Sequence, residues 1–298
     1  MRIGVIGLGS MGMGMAVSLV KAGHDVAGSD VRASAVDGLV AAGGRAAANP
    51  AAAAEGAQLL ILMVVNQAQV ETVLFGADGA AAALPKGAVV MLSSTVPAAF
   101  TEALDAHLAA SGHILLDAPV SGGAAKAKTG ELTIMSSGSA AAYQVADPAL
   151  AAVATTVYRL GDRPGIGSTV KTVNQLLAGV HIAAAAEAMA LGTRAGADPR
   201  QLYEVISNSA GGSWMFQNRV PHMLDGDFTP LSSVEIFVKD LGLVLDTGRS
   251  LRFPLPIAAA AHQQFLAAAG SGHGGEDDAA VVKVYEAVAG ISVARPKK

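Results

Sequence analysis

Arg2-Ile3-Gly4-Val5-Ile6-Gly7-Leu8-Gly9-Ser10-Met11-Gly12 is a short apolar run that breaks into three closely spaced glycines. Residues 2–6 read as a strand, and Met13, Ala16, Val17 and Val20 recur at helical spacing, so 11–22 reads as a helix. Between them, Gly7 permits a tight turn, Gly9 lets the backbone approach a pyrophosphate, and Gly12 lets helix and strand pack closely. The opening helix offers unpaired N–H groups and the positive end of its dipole to an anion. With 35 glycines in 298 residues a glycine-rich turn is the plain alternative, but a turn alone needs no strand before it and no helix after it. The expectation is a dinucleotide held by Gly7, Leu8, Gly9, Ser10, Met11 and Gly12.

Outward from this loop the pattern repeats. Residues 24–30 read as a strand and 33–42 as a helix ending at Gly43-Gly44. Residues 59–65 are apolar without alternation, as in a parallel strand covered on both faces. Residues 89–92, 114–117 and 132–135 are further strands with helices between them, which predicts an α/β fold with a Rossmann-type, doubly wound parallel sheet. Near residue 160 the rhythm changes. Residues 168–195 read as one helix, about 40 Å long at 1.5 Å per residue, and 200–210, 213–223, 233–250, 256–269 and 277–290 read as helices. The division expected is a nucleotide-binding domain over 1–163, a long interdomain helix over 164–196 and an all-α C-terminal domain over 197–298.

Composition narrows the function classes. Hydrophobic residues make up 52% and charged residues 15%, a globular balance. Apolar runs such as 58–65 are too short to span a bilayer, and a strand starting at Arg2 leaves no room for a signal peptide, so no membrane and a cytoplasmic location are expected. There is no cysteine, which excludes disulfides, thiol nucleophiles and thiolate metal sites. A net charge of −4 without a basic run excludes nucleic acid as the expected partner, and Arg295-Pro296-Lys297-Lys298 reads as a solvated tail. The 7 histidines lack metal-ligand spacing, and Glu276-Asp277-Asp278 reads as a helix cap, so no metal is expected.

Several residues have the chemistry a dinucleotide enzyme needs. Asp30, ending the second strand, can accept from a ribose diol and repels a 2′-phosphate, which favours NAD over NADP, although Arg32 could accommodate that phosphate. Val65 and Asn66 end one strand and Ser93-Ser94-Thr95 follows another, at the carboxyl ends where such sheets bind ligands; Thr95 could equally be a helix N-cap. Ser121-Gly122-Gly123 could offer backbone N–H groups to a carboxylate, or be only a turn. Lys171 lies in the first turn of the long helix, where the dipole disfavours its charged form, and Asn174 and Gln175 share its face. That suits general acid–base work; a surface lysine is the plainer reading.

Taken in order, Gly-Leu-Gly-Ser-Met-Gly (7–12), Asp-Ala-Pro-Val-Ser-Gly-Gly (117–123), Gly-Ser-Thr-Val-Lys-Thr-Val-Asn-Gln (167–175) and Val-Lys-Asp-Leu (238–241) resemble the β-hydroxyacid dehydrogenases, which include 3-hydroxyisobutyrate dehydrogenase and tartronate semialdehyde reductase. The resemblance covers nearly the whole chain. It implies an NAD-dependent enzyme acting on a small-molecule hydroxy acid, as a homodimer or homotetramer. It makes Lys171 the acid–base and has Asn174 orient lysine and substrate. Ser121, Gly122 and Gly123 would bind the carboxylate, with Gln175 among the substrate contacts and Thr95 and Lys239 lining the nicotinamide and substrate cavity. Some members carry asparagine where this chain has Gln175. Residues 175–181, 211–219 and 237–244 are most like members that oxidise four-carbon sugar acids, for which Ser213, Asn218, Arg219 and His181 could offer hydrogen bonds. The Lys239-Asp240 pair alone reads as a solvated ion pair on a helix. A non-catalytic dinucleotide-binding module is the alternative from another class, and retention of Lys171 counts against it.

Overall fold

The computed structural model describes residues 1–294; the basic residues 295–298, expected to form a solvated tail, lie outside the described residues. The strands are β1 (Arg2–Ile6), β2 (Asp25–Ser29), β3 (Arg45–Ala46), β4 (Leu59–Leu62), β5 (Val89–Leu92), β6 (Ile114–Asp117), β7 (Val120–Ser121), β8 (Leu132–Ser136) and β9 (Ala154–Arg159). The helices are α1 (Ser10–Lys21), α2 (Ala33–Ala41), α3 (Pro50–Ala54), α4 (Gln67–Phe75), α5 (Ala98–Ala110), α6 (Gly123–Thr129), α7 (Ala140–Val153), α8 (Ile166–Arg194), α9 (Pro199–Ser207), α10 (Trp214–Asp225), α11 (Val234–Ser250), α12 (Pro256–Ala268) and α13 (Val282–Ala289). The chain forms two compact units, Met1–Lys171 and Thr172–Lys298, with α8 beginning in the first and continuing into the second.

In the first unit, among the described residues, six parallel strands lie in the order β3-β2-β1-β4-β5-β6. Strand alternation sorts the apolar side chains onto two faces. Ile3, Val5, Leu59, Ile61, Val89 and Met91 join α1 and α7 residues in one core, and Ile6, Leu60, Leu62, Val90 and Leu92 join α3, α4 and α5 residues in the other. All of these strand residues are almost fully buried, which is why their sequences run apolar without alternation. The strand expected at 132–135 is not part of this sheet. It forms β8 of a smaller sheet, antiparallel to β7 and parallel to β9. Half-exposed, polar β9 (Ala-Thr-Thr-Val-Tyr-Arg) carried no apolar signal.

The second unit is helical throughout its described residues apart from connecting turns and an isolated bridge between Ser233 and Asp277. Two of its helices, α9 and α10, start where side chains satisfy free N–H groups of the first turn. Asp198 precedes Pro199 and accepts from the amides of Arg200 and Gln201, and Ser213 accepts from Phe216 N at 3.0 Å. Residues Ile182, Ala186, Met189, Phe216, Val220, Met223, Phe237, Leu241 and Phe265 form its core. By length and composition alone α8 could cross a membrane, a test that the core helices of water-soluble proteins also pass. Polar residues interrupt its apolar runs, and Ile182, Ala183, Ala185, Ala186, Met189 and Ala190 pack into this core.

Candidate active site

The carboxyl ends of β1, β2, β4 and β5 bring the first set of expected residues to one edge of the sheet. Because β4 follows β3 in sequence but lies beside β1, the strand order reverses between β1 and β4, the point at which sheets of this kind bind ligands. Gly7 has φ +90°, and a Cβ there would stand 2.5 Å from Met63 O. A Cβ on Gly12 would stand 1.9 Å from Gly7 O, so the loop closes only with glycine at both positions. Nothing lies within 4 Å of a Cβ on Gly9. Gly9 caps α1 with no side-chain hydrogen bond to the first turn, leaving those N–H groups to a ligand. A glycine-walled, uncapped helix start fits a pyrophosphate.

Asp30 follows β2 and is tied into this loop. Its Oδ2 accepts from Leu8 N at 2.7 Å, and its Oδ1 accepts from Arg32 N at 2.9 Å and Arg32 Nε at 3.2 Å. Arg32 Nη2 also donates to Leu8 O at 3.2 Å. Partial burial pushes the Asp30 carboxyl up, but these bonds from Arg32 and Leu8 outweigh it and hold the group below the usual carboxylate range. Asn66 caps α4, accepting from Gln69 N at 2.9 Å, and the neighbouring Val65 is half-exposed. Thr95 is not a cap. Pro97 occupies the N-cap of α5, without a side-chain bond, and leaves Thr95 in the loop after β5.

Ser121 ends β7, and Gly122 and Gly123 follow with φ +127° and +73°, conformations open to glycine that leave no side chain between the backbone and a ligand. Nearby, Asp117 is fully buried at the end of β6. Its Oδ2 accepts from Gly165 N at 2.9 Å and Ser168 N at 2.8 Å, and its Oδ1 accepts from Ser168 Oγ at 2.7 Å. The carboxyl thus meets the orphan donors at the start of α8. Burial raises it above the usual range despite the bonds from Ser168, Gly165 and Ser137. The sequence offers Asp117 as the end of a strand and the first residue of a motif, with no task of its own. Its position one turn ahead of a lysine-bearing helix becomes visible only when β6 and the helix start are brought together.

Lys171 is 8% exposed, which removes the reading of a surface lysine. Further along α8, buried Gln175 donates through Nε2 to Asp240 Oδ2 at 2.5 Å and accepts at Oε1 from Asn174 Nδ2 at 3.0 Å. Lys239 Nζ stands 2.7 Å from Asp240 Oδ1. Asp240 is 2% exposed, so Lys239-Asp240 is not the solvated pair its sequence suggested. Asp240 was not singled out as a site residue; its burial on α11 is its only signal, and the sequence does not carry it.

Other candidates have structural tasks. Ser213 caps α10. Arg219 is buried and forks onto Asp278 through Nε at 2.5 Å and Nη2 at 3.1 Å, with Nη1 donating to Asn218 Oδ1. Buried Arg219, committed to Asp278 and Asn218, is not the donor to a sugar acid that the sequence suggested, whereas the Ser213 hydroxyl keeps its own hydrogen to donate. Asp277 accepts from Ala279 N and Leu231 N and so caps the short turn Asp278–Val281 that leads into α13.

Residues 2–161 match the family model of the NAD-binding domain of 6-phosphogluconate dehydrogenase, and residues 165–285 match that of the NAD-binding region of NADP-dependent 3-hydroxyisobutyrate dehydrogenase. The chain is 58% identical over 287 residues to L-threonate dehydrogenase of Cupriavidus necator, covering 96% of this chain and 97% of the relative. It is 37% identical to 2-(hydroxymethyl)glutarate dehydrogenase of Eubacterium barkeri, covering 98% of this chain and 97% of the relative. A crystal structure of 3-hydroxyisobutyrate dehydrogenase from Salmonella typhimurium superimposes with a TM-score of 0.90 at 53% identity, over 95% of this chain and 99% of that one. With its strand order reversing between β1 and β4 and matches along nearly its full length, the chain belongs to the β-hydroxyacid (3-hydroxyisobutyrate) dehydrogenase family of nicotinamide-dinucleotide-dependent enzymes acting on CH–OH groups.

Proposed function

We propose that this enzyme oxidises L-threonate at its C2 hydroxyl to the 2-oxo acid, with NAD as oxidant. The observation that carries the substrate is the gradient of likeness: 58% identity to a relative named for L-threonate against 37% to one named for 2-(hydroxymethyl)glutarate. Bound NAD supplies the hydride acceptor. Gly7, Leu8, Gly9, Ser10, Met11 and Gly12 hold its pyrophosphate and Asp30 its ribose diol, with Arg32, Val65, Asn66, Thr95 and Lys239 as further cofactor contacts. The charged Asp30 carboxylate repels a 2′-phosphate, which supports NAD over NADP.

Lys171 takes the hydroxyl proton onto Nζ during oxidation and returns it during reduction. Ser121 Oγ and the amides of Gly122 and Gly123 hold the carboxylate. Asn174 orients lysine and substrate, and Gln175 completes the substrate contacts. The enzyme acts as a cytoplasmic homodimer or homotetramer. Exposed Val173, Leu177 and Leu191, on one face of α8, support a surface that a second copy covers.

The 53% identity to a structure named for 3-hydroxyisobutyrate supplies a second reading. Initial rates on L-threonate and 3-hydroxyisobutyrate at alkaline pH, and on tartronate semialdehyde in the reducing direction, with NAD and NADP cofactors, decide between them. The expected kcat/KM for L-threonate with NAD exceeds the others by about tenfold or more, because a site built for extra hydroxyls rejects substrates that lack them. A higher value for either competitor removes L-threonate, and a higher value with NADP removes the role given to Asp30.

A further inference from the structure

A helical side chain leans back toward the N-terminus of its helix, and Lys126 does so along α6. A Cβ placed on Gly122 would stand 2.9 Å from Lys126 Cδ, 3.0 Å from its Cβ and 3.4 Å from its Cγ. The lysine stem therefore lies on the bare backbone of Gly122, beside the Ser121-Gly122-Gly123 loop. Lys126 is exposed, and among the described residues its ammonium makes no hydrogen bond or ion pair. The base of the side chain is fixed, because α6 is held against α1 by Ser18 Oγ donating to Ala127 O at 3.3 Å and by the close approach of Gly14 to Ala127.

We propose that Lys126 is the cationic partner of the substrate's carboxylate and so selects acids over uncharged polyols at this site. The proposal rests on the reading of Ser121-Gly122-Gly123 as the carboxylate loop. It also accounts for glycine at 122, since any side chain there would displace the lysine stem.

Lys126→Met keeps the stem and removes the charge, Lys126→Arg restores the charge, and Ser121→Ala probes the loop without the lysine. The measurements are kcat and KM for L-threonate, the inhibition constant of its neutral amide, and the NAD dissociation constant by fluorescence. Lys126→Met is expected to raise KM for the acid roughly tenfold, as for a lost charge-assisted bond. The kcat, the amide constant and the NAD constant should stay within about twofold, and arginine should recover most of the KM. An unchanged KM in Lys126→Met beside a raised KM in Ser121→Ala overturns the role of Lys126 and leaves the carboxylate loop standing. An unchanged KM in both overturns the two together. Parallel weakening of NAD places the ammonium on the pyrophosphate instead, which also overturns the proposal.

Discussion

Which atom Asn174 shows to its surroundings is settled two residues away from it in the hydrogen-bond chain. An ionised carboxylate only accepts, so Asp240 turns Nε2 of Gln175 toward itself and leaves Oε1 to accept from Asn174 Nδ2. Asn174 thus donates through Nδ2 to Gln175, which fixes the orientation of its amide and the side on which Oδ1 lies. Lys239, 2.7 Å from Asp240, offsets the cost of burying that charge. Asp240→Asn offers Gln175 a donor as readily as an acceptor and loosens both amides. Steady-state assays should show kcat/KM falling by up to about 10²-fold, the cost of a small misplacement at a reacting centre, while NAD affinity holds. A kcat/KM within about threefold of wild type would detach Asp240 from the orientation of these amides.

Two buried carboxyls fasten elements rather than serve chemistry. Asp117 anchors the start of α8 to β6, and Asp278 anchors Arg219 of α10 to the turn before α13. Burial pushes Asp278 up to about 6, from an ordinary 3.8, against the pull of Arg219. A carboxyl raised in the folded state favours folding most at low pH, and that contribution is lost as pH rises from about 4 through 6. Arg219→Met removes the opposing cation, so Asp278 rises further and its ionisation becomes costlier. Urea unfolding should show a loss of about 3–5 kcal/mol at pH 7.5, the cost of an uncompensated buried charge, and a smaller loss at pH 5. An equal loss at both pH values would mean that Asp278 is not the group responsible. The sequence revealed neither fastening, because each joins residues dozens of positions apart; Glu276-Asp277-Asp278 was legible as a cap only through Asp277.

At the scale of the whole molecule, what was legible is what depends on local pattern. Glycine spacing at 7–12 and the apolar runs of β1, β4 and β5 predicted the main sheet, since a strand covered on both faces has no polar alternation. The three-stranded sheet was hidden because β7 is two residues long and β9 is largely exposed. Motif and helical spacing put Lys171, Ser121 and Asn174 forward as candidates, whereas Asp117 and Asp240 acquire their tasks only from burial and distant partners. The central claim is that a dinucleotide-binding fold is made an enzyme by Lys171. Its most direct test is Lys171→Met, with turnover of L-threonate and the NAD dissociation constant measured on the same preparation. The account predicts a fall in kcat of about 10³-fold, within the range for loss of a general acid–base, and an NAD constant within about twofold of wild type. Turnover within about tenfold of wild type, or NAD binding lost in step with it, would contradict that claim.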